Sequence, residues 1–135
     1  MAYWLAKTEP DSFSYADLVK LGRDRWNGVR NFTALRHIGN MHPGDQVFIY
    51  HTGKEKAIVG IAEVVSQPYP DPEAEDSRFI VADFIPRQAL PRPVSLKEIK
   101  ANRQFDNWEL VTQSRLSVMP VSATDWQTIL DLAQN

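Results

Sequence analysis

The sequence predicts an α+β or β-barrel-with-helices fold, and three observations carry that prediction. Runs rich in Val, Ile and aromatic residues dominate the centre of the chain. Short segments opened by helix-capping residues stand before, between and after those runs. Their order lacks the regular strand–helix–strand alternation of a parallel α/β sheet.

Taken in order, Tyr3 to Lys7 reads as a first strand. Ser14 with Asp17 three residues later has capping-box spacing, which predicts a helix through Leu21 that stops at Gly22. Asn31 is placed to cap a second helix running to about Met41, broken by His42-Pro43-Gly44-Asp45. Gln46 to His51 and Ala57 to Val65 read as strands joined by a hairpin loop, Thr52 to Lys56. Gln67 to Asp76, crowded with prolines and acids, reads as a surface loop. Arg78 to Ile85 is a further strand, expected to end at Pro86. Ser95 and Glu98 form a second capping box, and Asn102 to Val111 carries Phe105 and Trp108 in a turn or helix. Leu116 to Val121 is the last strand, and a closing helix over Ala123 to Ala133 is expected to bury Trp126, Ile129 and Leu130.

Composition bounds the function. The chain has 135 residues, the ordinary size of one domain, and no linker that would divide it, so residues 1–135 are expected to form a single domain. A net charge of -2 argues against an extended surface that coats DNA, which needs many Lys and Arg contacts to phosphate, but leaves room for a local cationic site. Cysteine is absent, which removes disulfides, thiolate metal ligands and a cysteine nucleophile, and suits a reducing compartment. The N-terminal run lacks the long apolar core of a signal peptide, and no stretch reaches membrane-spanning length. A cytoplasmic protein with no membrane partner is the expectation. No glycine-rich phosphate loop follows a strand, which argues against nucleotide cofactors. His37 and His42 stand five apart, missing the spacing that sets two ligands on one helical face, so no metal is expected. No G-x-S-x-G elbow is present to expose a nucleophile.

Four segments place aromatic, amide and basic groups beside apolar strands: Lys7 to Pro10, Arg25 to Asn31, Tyr50 to Thr52, and Ser114 to Ser117. A pocket for a flipped base needs a ring to stack on, amides and hydroxyls to read the edge, and cations for the flanking phosphate. Trp26 supplies a ring, with Tyr50 and His51 as further candidates. Asn27, Asn31, Thr8, Thr52 and Ser117 supply edge groups, and Lys7, Arg30 and Arg115 supply charge. The plainer alternatives are that Trp26 is a core aromatic and Asn31 only a helix cap. Trp26 nevertheless stands among Arg, Asn and Gly neighbours, which make poor core companions.

At these residues the sequence resembles the EVE domain family of the PUA-like superfamily. The resemblance rests on Tyr3-Trp4-Leu5-Ala6-Lys7-Thr8-Glu9-Pro10, Trp26-Asn27-Gly28-Val29-Arg30-Asn31, Gly44-Asp45 leading to Tyr50-His51-Thr52, Ile58 to Val64, Tyr69 to Pro72, and Arg115 to Val121. It runs nearly end to end. It implies a PUA-like β-barrel of five to six strands, related to the YTH and ASCH domains. It further implies a pocket for a flipped, modified base, such as a modified cytosine or adenine, in DNA or RNA. A monomer without catalysis or cofactor is the expectation. By motif match the base site would draw on Lys7, Thr8, Trp26, Asn27, Val29, Arg30, Asn31, Tyr50, His51, Thr52, Arg115, Leu116 and Ser117. The alternatives are an enzyme acting on a nucleobase or nucleic acid, with His51 as base, and a protein-interaction scaffold.

Overall fold

The first strand sets the frame. In the computed structural model, which describes residues 1–135, β1 (Tyr3–Thr8) runs parallel to β3 (Gln46–His51), with Lys7 opposite Tyr50 and Thr8 opposite His51. A parallel pair needs a crossover connection. Here the crossover holds α1 (Tyr15–Leu21), a two-residue strand β2 (Asp24–Arg25) and α2 (Phe32–Gly39). The strand ends at Thr8 and His51 therefore lie side by side, with the segment between the two helices available to close over them.

Both helices start as their local sequence dictates. Ser14 and Asp17 cap each other's backbone in a full capping box, and α1 ends at Gly22 in the left-handed conformation, with φ of 77°. Asn31 caps α2 by accepting the Ala34 N–H at 3.0 Å. After α2, β3 turns back antiparallel into β4 (Ala57–Val64) through the 52–56 hairpin.

Two short strands form a separate ladder: β5 (Tyr69–Pro70), within the segment expected to be a surface loop, and β6 (Ile80–Val81), within the expected Arg78 to Ile85 strand. The larger departure is β7 (Asp83–Ser95), which pairs with β4 and passes through Pro86, Pro91 and Pro93 instead of ending at Pro86. The prolines are accommodated because β7 is irregular. Ile58 pairs with Val94 while Gly60 pairs with Ala89, so Leu90 to Pro93 bulge opposite Val59, and a second register shift falls beside Pro86. Only Asp83 and Phe84 are covered on the other side, by β2, so most of β7 is an edge where a missing N–H costs little.

The chain finishes with α3 (Leu96–Lys100), a short turn at Arg103–Phe105, α4 (Glu109–Thr112), β8 (Val118–Val121) and α5 (Ala123–Ala133). The last strand starts two residues later than expected. The sheet order is β2-β7-β4-β3-β1-β8, a six-stranded sheet curled into a half-barrel, with five α-helices around it. This is the α+β, barrel-derived class that the sequence predicts, with β2 and β8 as open edges. Trp126 of α5 lies over the sheet, its ring 3.7 Å from that of Phe48 and 4.5 Å from that of Tyr3. No helix is long and apolar enough to cross a membrane.

Asp45 is the polar anchor of the β1–β3 pair. It is 3% exposed and accepts from the Ala2 N–H and the Trp4 indole at 3.0 Å and from the His42 N–H at 2.9 Å. Burial works to raise the carboxyl's pKa, but the three donors outweigh it and hold it below the usual aspartate value. On acidification the unfolded chain therefore takes up the proton first. The stabilisation is complete above the unfolded value of 3.8 and is lost as pH falls through the lower folded one. Asp45→Asn turns one acceptor oxygen into a donor facing N–H groups, and is expected to cost about 2–3 kcal/mol at pH 7. Urea melts of both proteins should show that gap shrinking below about pH 4.

Candidate functional site

Three stretches converge at the C-terminal end of β1. The first is Lys7 and Thr8. The second is the 24–31 segment of the crossover, tied to the sheet by the Trp26 N–H, which donates to the Ala82 carbonyl at 2.9 Å. The third is the run into β8, held where the Lys7 N–H donates to the Ser117 carbonyl at 2.8 Å. Between them lies a cavity of about 420 Å³, within the range of roughly 300–1,000 Å³ usual for small-molecule sites.

Nine of the thirteen residues expected at the site line this cavity: Lys7, Thr8, Trp26, Asn27, Val29, Arg30, Asn31, Arg115 and Ser117. Phe13, Asp24, Arg25 and Gly28 complete the lining. Gly28 has φ of 80°, a left-handed turn that a residue with a side chain adopts only under strain, and this turn lets Trp26 and Asn31 face the same space.

Trp26 is both a core residue and a cavity wall. It is 7% exposed, stacks on Phe84 at 5.1 Å and meets Phe13 edge-on at 6.1 Å. The alternatives posed by the sequence are thus not exclusive. Asn31 likewise does two things: its side-chain oxygen caps α2, its amide N–H groups make no hydrogen bond within the protein, and the residue lines the cavity. The Thr8 hydroxyl donates to the Phe13 carbonyl at 2.6 Å, so only its lone pairs remain for a ligand. Asn27 and Ser117 side chains make no hydrogen bond within the protein. Asp24 accepts the Arg25 N–H through one oxygen at 2.9 Å and keeps the other.

The electrostatics are one-sided. Lys7, Arg25, Arg30 and Arg115 face one carboxylate, Asp24, and none of the four cations belongs to an ion pair. Arg30 is steadied by an aromatic surface, its guanidinium 4.5 Å from the Phe79 ring. Lys7 is half-buried, and burial pulls its pKa below the usual lysine value. Its ammonium donates to the Ser114 carbonyl at 3.0 Å and lies 5.7 Å from the Tyr50 ring.

Four expected residues stand elsewhere. Tyr50 and Thr52 line a neighbouring cavity that shares only Lys7 with the first. His51 lines neither cavity. Its Nε2 accepts the Tyr15 N–H at 3.0 Å, so the proton sits on Nδ1, which donates to Glu55 at 2.7 Å. That fixes His51 as a brace between α1 and the hairpin and removes it as a stacking partner or as a base at this cavity. Leu116 is 4% exposed and belongs to the core. The divergence of Tyr50 and His51 follows from strand periodicity, because successive side chains point to opposite faces, whereas Leu116, ahead of β8, is drawn into the core by tertiary packing. Arg25 belongs to the polar segment Arg25 to Asn31, whereas no local sequence signal marks Asp24 and Phe13, which reach the cavity only through tertiary packing.

Similarity to known proteins agrees with this architecture. The EVE domain sequence profile matches residues 2–132. The solved structure of Rpa0253 from Rhodopseudomonas palustris is 38% identical and superposes with a TM-score of 0.94, covering 99% of this chain and 94% of that one. Human THYN1 protein, solved in complex with 5-methylcytosine containing DNA, is 27% identical with a TM-score of 0.90, covering 100% of this chain and 99% of that one. Mouse thymocyte nuclear protein 1 is 28% identical over 166 residues, spanning 98% of this chain and 74% of that protein. With its sheet, its crossover and its full-length profile in agreement, the chain belongs to the EVE domain family.

Proposed function

We propose that this domain binds nucleic acid by taking one flipped, modified base into the 420 Å³ cavity, without catalysis. The observation that carries the reading is the lining itself. Four unpaired cations surround an indole wall and a set of polar groups that the protein leaves uncommitted. Cations suit the flanking phosphates, the indole suits a base face, and the free amides, hydroxyls and carboxylate suit a base edge. The human relative's complex with 5-methylcytosine containing DNA supports the same kind of ligand and favours DNA.

In this reading Trp26 provides the stacking surface, and Arg30, Arg115 and Lys7 anchor phosphate. Asp24 receives the exocyclic amine of the base, the donor that cytosine and adenine present and thymine does not. Binding should be measured against oligonucleotides that differ only at one position: cytosine, 5-methylcytosine, 5-hydroxymethylcytosine or thymine. One modified base should bind clearly best; equal affinity for all of them sinks the reading. Asp24→Asn leaves one oxygen to serve both the Arg25 N–H and the amine. It is expected to weaken binding to amine-bearing bases by about 1–2 kcal/mol, or roughly 5- to 30-fold, and to narrow the preference over thymine.

A further inference from the structure

The base cavity has a second chamber beside it. A cavity of about 260 Å³ lies on the far side of Lys7, lined among others by Lys7, Tyr50, Thr52, Lys56, Lys100 and Ser114. Ser114 and Arg115 are neighbours in sequence, yet one lines each chamber, so the loop before β8 and the Lys7 side chain form the partition. The basic surface continues outward from there, where Lys54, Lys56, Lys97 and Lys100 border a further depression.

Most of the positive charge here is unpaired. None of Lys7, Lys54, Lys56, Lys97 and Lys100 takes part in an ion pair. Of the nearby carboxylates, Glu98 is neutralised by Arg92 through two bonds of 2.8 Å, whereas Glu55 and Glu9, which accept from the neutral His51 ring and the Thr52 hydroxyl, keep their charge and are outnumbered by the lysines. A chain of net charge -2 thus concentrates five free lysines on one flank of its base cavity. In a cleft with low-dielectric walls such a cluster attracts anions more strongly than the net charge suggests.

The backbone is arranged to present these lysines together. The Leu96 N–H donates to the Lys56 carbonyl at 2.8 Å, which fastens the start of α3 to the 52–56 hairpin and sets Lys97 and Lys100 beside Lys54 and Lys56. Lys56 itself has φ of 45°, the one non-glycine residue in the left-handed region. Glycine or asparagine would hold that turn with less strain, so a lysine at this position carries a cost to the fold.

We infer that this second chamber and its lysine rim are the track for the phosphate backbone of the strand that carries the captured base. The inference rests on the base-binding reading above and extends it to a separate surface. Lys56 and Lys100 contact phosphate there without reading the base, so they set affinity and its salt dependence while leaving discrimination between bases unchanged.

The test uses a duplex with a central 5-methylcytosine, its unmodified counterpart, and the double variant Lys56→Gln, Lys100→Gln. Both lysines are exposed, so folding should be retained, and thermal melts check this. Removing two phosphate contacts should lower the slope of log affinity against log salt by about 1.8. Raising salt from 50 to 200 mM should therefore weaken the wild type about tenfold more than the variant. Lys20→Gln, on α1 and outside both chambers, should leave the slope unchanged. Equal losses on both duplexes support the track, and a wild-type slope in the double variant overturns it. Poly-glutamate binding that needs the two lysines, with DNA binding indifferent to them, would assign the groove to an acidic protein and also overturn it. A reduced slope in a protein that never distinguishes the two duplexes would keep the track and discard the base reading.

Discussion

Trp26→Ala is expected to lose both stability and ligand, and the two losses can be separated. The ring is 7% exposed and packed on Phe84 and Phe13, so its removal should cost about 3–5 kcal/mol of folding free energy, as large-to-small core changes do. For a domain of this size that is a fall in Tm of roughly 10–25 °C. Trp26→Phe keeps an aromatic wall and should lose far less stability. If the indole face stacks on the base, both variants, assayed at a temperature where melts show them folded, should bind more weakly. The alanine variant should lose about 1–3 kcal/mol, or roughly 5- to 150-fold. Folded Trp26→Ala protein with undiminished affinity for every modified oligonucleotide would remove the indole from the mechanism.

Gly60→Ala should be damaging without touching the site. A methyl group at Gly60 would lie 2.6 Å from two atoms of the Tyr15 ring, inside any tolerable contact. The ring cannot simply turn aside, because its hydroxyl donates to the Ile61 carbonyl at 2.8 Å and its backbone N–H donates to His51. Overpacking of about 1–3 kcal/mol together with about 1 kcal/mol for the hydrogen bond predicts a loss of about 2–4 kcal/mol in urea melts. The cause can be isolated by a cycle with Tyr15→Ala. With the ring gone the extra methyl should cost little, whereas strictly additive losses would show that Gly60 matters for some other reason.

The parts of this molecule that were legible in its sequence are those decided within a few residues. Ser14 with Asp17, Asn31, and Ser95 with Glu98 announce helix starts because the capping groups bond to backbone three positions away. The strands Gln46–His51 and Ala57–Val64 show themselves by β-branched and aromatic content. β7 does not, because whether a strand survives three prolines depends on which edge is free and where β4 lets it bulge. β2 is two residues long, and nothing local marks Asp24 as its first. Residues contiguous in a motif do not share one surface. Arg115 and Ser117 line the cavity while Leu116 between them is core, and Tyr50 and His51 diverge in the same way.

If both chambers fill as proposed, Lys7 between them makes their occupancies interdependent. One ammonium, already donating to the Ser114 carbonyl, borders both spaces. An anion settling in either chamber therefore changes the charge felt in the other. Thermodynamic linkage requires that coupling to be reciprocal: whatever factor the first ligand group imposes on the second, the second imposes on the first. Substitutions lining opposite chambers should consequently fail to add, and that failure should vanish when Lys7 is itself replaced.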